Sequence, residues 1–136
     1  MRYRVIIRGS YRATRFSCWS RCILIKRRTI LAHHEVFFSI PAQHPVFSGH
    51  FPGRPMVPGV MLMDEVIHLV ESATGQAMMT GGHIAMAKFY SPASPGEILT
   101  LCFDTRADAS IAFAIHANNR KIAAGNLSPA IKTSTC

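Results

Sequence analysis

The stretch Gly49-His50-Phe51-Pro52-Gly53-Arg54-Pro55-Met56-Val57-Pro58-Gly59-Val60-Met61-Leu62-Met63-Asp64 changes character midway. Its first half is stiff loop. Residues 41–59 hold five of the chain's eight prolines, with Gly49, Gly53 and Gly59 among them. Proline fixes φ and removes a donor, and glycine lets backbone approach closely. A long ordered loop in a small domain is usually functional. The second half opens a helix. Pro58 and Gly59 start it and Gly75 can end it, so the spacing predicts a helix over 59–74. Val60, Met61, Leu62, Met63, Val66, Ile67, Leu69, Val70 and Ala73 cover most of its circumference, so burial on most sides is expected.

Strand patterns surround this helix. Residues 34–40 are rich in β-branched and aromatic side chains and end at Pro41. Residues 83–90 and 97–104 suggest two more strands, separated by a turn over Ser91–Gly96 with two prolines. Ala107–Ala117 alternates at Ile111, Phe113 and Ile115. Asn118-Asn119 suits a hairpin turn, and Lys121–Leu127 returns from it. One strand, a loop, a buried helix and four strands in hairpin-like succession make an α+β fold, an antiparallel sheet wrapped around one helix.

Charge divides the 136 residues differently. The chain carries +8 overall, which taken whole suggests a nucleic-acid binder. Yet residues 1–33 hold nine of the fifteen Lys and Arg and no acid, while the remaining 103 residues come to −1. We therefore expect a basic N-terminal extension over 1–33 and a working domain over 34–136. The extension reads as a basic arm, as an Arg-rich targeting segment, or as a stretch outside the working domain. It contains no recognised nucleic-acid reader motif, so nucleic acid ranks last among the expected partners. No apolar run approaches the roughly 20 residues of a membrane helix. Four cysteines in this length make no disulfide framework, which leaves a reducing cytoplasm as the expected location.

The chemistry-bearing residues cluster where loop meets helix. His50 lies between Gly49 and Phe51-Pro52-Gly53, and histidine can act as a general base near neutral pH. Gly59 at the helix start offers an orphan N–H, at the positive end of the dipole, that can polarise a carbonyl. Asp64 is five residues into an apolar helix. A carboxyl group in apolar surroundings holds its proton and suits a general acid. Together these parts suit removal of a proton α to a polarised carbonyl, followed by acid-assisted loss of a β-hydroxyl as water.

The run Gly49-His50-Phe51-Pro52-Gly53, then Pro58-Gly59-Val60, then Asp64, resembles the β-hydroxyacyl-acyl carrier protein dehydratases of bacterial fatty acid synthesis. The stretch from Ala87 to Leu99, with its Pro95-Gly96 turn, and the ending Ile122–Leu127 are similar to later parts of that family, so the resemblance covers about residues 34–128. It implies a hotdog fold. It also implies that His50 is the base at C2, that Asp64 from the other subunit of a dimer is the acid, and that Gly59 N–H binds the thioester oxygen. No metal and no organic cofactor would be needed. The partner would be an acyl carrier protein, delivering the chain on phosphopantetheine to a tunnel at the interface of a homodimer or a larger oligomer of dimers. His68 departs from the family's usual Gln, one helical turn after Asp64, where a protonated imidazole would favour the carboxylate over the acid. The compact chain is also similar to stand-alone relatives of secondary lipid or aryl polyene synthesis.

Other readings stand beside these. Phe51, Val60 and Met61 line the acyl tunnel or fill the core. Glu65, about 100° round the helix from Asp64, reads as a solvated or interface residue. His33, His34 and His44, like Cys18 and Cys22, fall short of a metal-ligand set. Arg54 and Lys88 either meet an acidic carrier protein or stay solvated. The competing functions are a thioesterase on the same fold and a non-catalytic acyl-chain binding scaffold.

Overall fold

The computed structural model describes residues 30–49, 53–75 and 81–129. In chain order the elements are β1 (Ile30–Phe38), α1 (Val46–Gly49), α2 (Gly59–Thr74), β2 (His83–Phe89), β3 (Leu99–Arg106), β4 (Ile111–Ala117) and β5 (Arg120–Ser128). The five strands form one antiparallel sheet in the order β1-β3-β4-β5-β2. This is the α+β arrangement expected, and α2 has the expected bounds. Gly75 closes α2 at φ 70°, its N–H donating to the carbonyl of Glu71 over 2.8 Å.

Three details differ from the sequence reading. First, the four later strands are not a simple hairpin succession. β3, β4 and β5 follow one another, but β2 pairs with β5 at the opposite edge from β1. The Ser91–Gly96 segment therefore crosses between strands that are not neighbours. Gly125 admits this pairing, because a Cβ there would stand 2.1 Å from the carbonyl oxygen of Met86. Second, β4 begins at Ile111 rather than Ala107. Asp108 accepts hydrogen bonds from the N–H (3.0 Å) and hydroxyl (2.5 Å) of Ser110, and Ala109 takes φ 62°, so residues 107–110 turn. Third, β1 begins at Ile30, ahead of the composition change near His34.

One sheet face packs on α2. Leu62, Met63, Val66, Leu69 and Val70 join Val36, Phe38, Leu101, Phe103, Ile111 and Ile115 in a single core. Each such side chain contributes about 1.5–3 kcal/mol relative to exposure, so the helix is held by packing more than by its own propensity. Strand β2 is the exception. Ile84 is 38%, Met86 46% and Phe89 53% exposed, on an edge strand paired on one side only among the described residues. No helix among the described residues is long and apolar enough to cross a membrane.

Candidate active site

The N-terminus of α2 is left open. Pro58 caps it with φ −60° and ψ 138°, offers no side-chain hydrogen bond, and no acidic residue occupies the first turn. The first helical bond runs from Leu62 N–H to the Pro58 carbonyl, at 3.2 Å. The N–H groups of Gly59, Val60 and Met61 come before it, so no carbonyl of the helix can accept from them. They project from the positive end of the helix dipole. The ring of Phe89 lies over Gly59, where a Cβ would meet Cζ at 2.9 Å and Cε1 at 3.0 Å.

From this end a single line of exposed residues runs along the helix. Between Gly59 and Thr74 the exposed positions are Val60, Asp64, His68 and Ser72, each one turn after the last. The remaining positions are buried or half-buried. Val60, an apolar residue, is 83% exposed. Asp64 was expected among apolar side chains; within one chain it faces outward, and the adjacent Glu65 is the half-buried acid. The Asp64 α-carbon lies about 7.5 Å along the axis from that of Gly59. His68 shares its line, as the spacing predicted, and the Ser72 hydroxyl donates to the His68 carbonyl over 2.9 Å. Met61 is half-buried and packs against the core.

His50 and Phe51 lie outside the described residues. The loop that contains them is anchored at both ends to one turn. Gly96 N–H donates to the Ile40 carbonyl over 2.7 Å, and Val57 N–H donates to the Ala93 carbonyl over 2.9 Å. Gly53, directly after Pro52, holds φ 91°, a backbone region that suits glycine.

Three of the other histidines have local partners. His33 Nδ1 meets Asp104 Oδ1 at 2.5 Å. His34 stacks on Phe103 with ring centroids 4.7 Å apart, and burial, then the neighbouring His33, pushes its pKa below the usual histidine range against an opposing pull from Asp104. His44 Nδ1 accepts from Val46 N–H at 3.2 Å. A cleft between α2 and the start of β2 is lined by Ile67, Gly82, His83, Ile84 and Leu127. Ile67 lies about 12 Å along the helix from Gly59, so the cleft is remote from the open helix end. Phe89, beside Gly59, is a residue that the sequence reading did not single out. Only the pairing of β2 brings Phe89 to Gly59, and no local spacing signals it.

Comparison with known proteins gives the fold and the family. A family model described as ApeI-like, the ApeI dehydratase, matches residues 27–126. A 3-hydroxyacyl-[acyl-carrier-protein] dehydratase FabZ from Chlamydia trachomatis serovar L2 is 29% identical over 85 residues, covering 57% of this chain and 53% of that protein. The chain thus spans about half the length of the curated relatives it matches. Among solved structures, the dehydratase heterocomplex ApeI:P from Xenorhabdus doucetiae aligns with a TM-score of 0.60 at 22% identity, over 75% of this chain and 96% of that one. The fluoroacetyl-CoA thioesterase FlK aligns at 0.54 and 16% identity, over 72% of this chain and 84% of that one. These likenesses establish the hotdog fold. With the match running from residue 27 to residue 126, the chain belongs to the ApeI-like dehydratase family.

Proposed function

We propose that the protein dehydrates 3-hydroxyacyl thioesters, carried on acyl carrier protein, to trans-2-enoyl thioesters. His50 removes the proton from C2. The N–H of Gly59 bonds the thioester oxygen and stabilises the charge that develops there. Asp64 of a second copy gives its proton to the C3 hydroxyl, the C3–O bond breaks, and water leaves. Proton exchange with solvent then restores both side chains. The observation that carries the reading is the open helix end at Gly59, leading into an exposed line on which Asp64 is the acid. Solvent-facing helix lines usually carry Lys or Glu. This one carries a valine, an aspartate, a histidine and a serine, which suits a surface that another subunit and a substrate cover.

The covering subunit is a second copy. Val60, Ile84, Met86, Phe89 and Tyr90 are five of the seven large apolar side chains exposed among the described residues, the others being Phe37 and Ile98, and β2 offers a strand edge that a two-fold related β2 can complete. Val60 and Phe51 then line the acyl path, with His68 one turn beyond Asp64. The chemistry belongs to residues 34–136. Residues 1–33 are a basic extension whose last residues enter β1, and the reaction takes place in the cytoplasm, without metal or organic cofactor. Purified protein with 3-hydroxyacyl-carrier protein should yield 2-enoyl product, and His50→Ala should reduce the rate about 10²–10⁴-fold, as loss of a general base does. Wild-type rates in that variant would rule out the mechanism.

A further inference from the structure

We infer that Arg120 is a positioning residue for the proposed active site, locking the turn to which both ends of the His50 loop are anchored. The inference rests on the reading above, in which His50 and Gly59 act on the same substrate.

Arg120 is the first residue of β5. Its Nη1 donates to the carbonyl of Pro92 and, over 3.3 Å, to the hydroxyl of Ser91. Its Nη2 donates to Glu97 Oε1 at 2.6 Å. The other oxygen of Glu97 accepts the N–H of Ser94 at 2.9 Å. One guanidinium therefore grips the start and the end of the turn together. Ser91 also donates through its hydroxyl to the Lys121 carbonyl at 2.6 Å, and Tyr90 N–H donates to the Ile122 carbonyl at 2.8 Å, so the turn is seated on β5.

What this turn holds gives the grip its consequence. Between Pro92 and Glu97 lie the Ala93 carbonyl, which accepts from Val57, and the Gly96 N–H, which donates to Ile40. Ala93, Ile40 and Val57 are all buried. The loop from 41 to 56 contains His50, and Val57 stands two residues before Gly59. A shift of the turn thus moves both ends of the loop and the start of α2. A misplacement of about 1 Å can cost a rate on the order of 10²-fold. The pair itself is partly in water, with side-chain exposures of 41% for Arg120 and 20% for Glu97. Such pairs add little to global stability. Arg120 should therefore matter more to rate than to folding. The Ser94 N–H holds the Glu97 carboxyl below the usual carboxylate range, with Arg120 adding to it and burial opposing, so the ion pair persists further into acid than an ordinary carboxylate would allow.

The test compares the full-length wild type with Arg120→Ala and Arg120→Lys. In Arg120→Ala we expect kcat to fall about 10–100-fold with KM changed less than about threefold, and the melting temperature to fall by less than about 8 °C. Arg120→Lys should recover only part of kcat, because an ammonium lacks the planar fork. Amide exchange at Val57 and Gly96 should accelerate in Arg120→Ala. Unchanged kcat in Arg120→Ala, or full recovery in Arg120→Lys, overturns the positioning role while wild-type turnover leaves the dehydratase reading standing. Absent turnover in the wild type overturns the dehydratase reading and the positioning role with it.

Discussion

The Phe89 ring rests on the backbone of Gly59, so close that a Cβ on residue 59 would stand 2.9 Å from the ring's Cζ. Gly59 is also the first residue of α2, where proline is well tolerated and the N–H has no helical acceptor. These facts separate a donor role from a packing role. Gly59→Ala and Gly59→Pro both place a Cβ against Phe89, which can swing because it is half exposed. Only the proline variant loses the N–H. Turnover should be about 10²–10³-fold lower in Gly59→Pro than in Gly59→Ala, with similar melting temperatures. Equal rates in the two would remove the N–H from the mechanism.

Gly125 meets a harder neighbour. A Cβ there would stand 2.1 Å from the Met86 carbonyl oxygen and 2.9 Å from Phe113 Cζ. Backbone cannot swing aside, so Gly125→Ala should push β2 away from β5. We expect a loss of more than about 2 kcal/mol in denaturant unfolding, together with weaker self-association through β2.

Stability should depend on pH through two histidines. Burial, then His33, depresses the pKa of His34, with Asp104 pulling the other way; burial, then the Lys121 charge, depresses that of His116. Below about pH 6.5 the unfolded chain takes up protons that the folded chain resists. This stability is full at and above neutral pH and is lost as the pH falls toward the folded pKa values. The melting temperature should be lower at about pH 5.5 than at about pH 7.5. The double variant His34→Gln, His116→Gln should narrow that difference.

Much of this fold is legible locally. Pro58 and Gly75 punctuate α2 to the residue, because a fixed φ starts a helix and a left-handed residue ends it. Asn118, at φ 52°, turns β4 into β5 as the Asn-Asn pair predicted. The pairing of β2 with β5 is not legible, since it depends on Gly125 receiving a strand almost 40 residues earlier in the chain. The apolar count of α2 foretold its burial, but not that the four exposed positions would be Val60, Asp64, His68 and Ser72. That line emerges only when the sheet covers the rest of the helix. The Arg120 grip likewise joins residues 23 to 29 positions apart, beyond any local pattern.

If each active site takes His50 from one copy and Asp64 from the other, inactive variants can complement one another. Equal amounts of His50→Ala and Asp64→Asn, mixed and allowed to exchange subunits, should regain about one quarter of wild-type turnover, because half of the dimers then carry one intact site. A mixture as inactive as its parts would place both residues in one chain's site, or an unlike subunit across β2.

The most direct measurement follows one 3-hydroxyacyl-carrier protein substrate with the wild-type enzyme, quantifying 2-enoyl thioester and free thiol in the same samples. Dehydration predicts 2-enoyl product without thiol release, and its loss in both His50→Ala and Asp64→Asn. Thiol release without enoyl product would contradict dehydration and make the protein a thioesterase on the same fold.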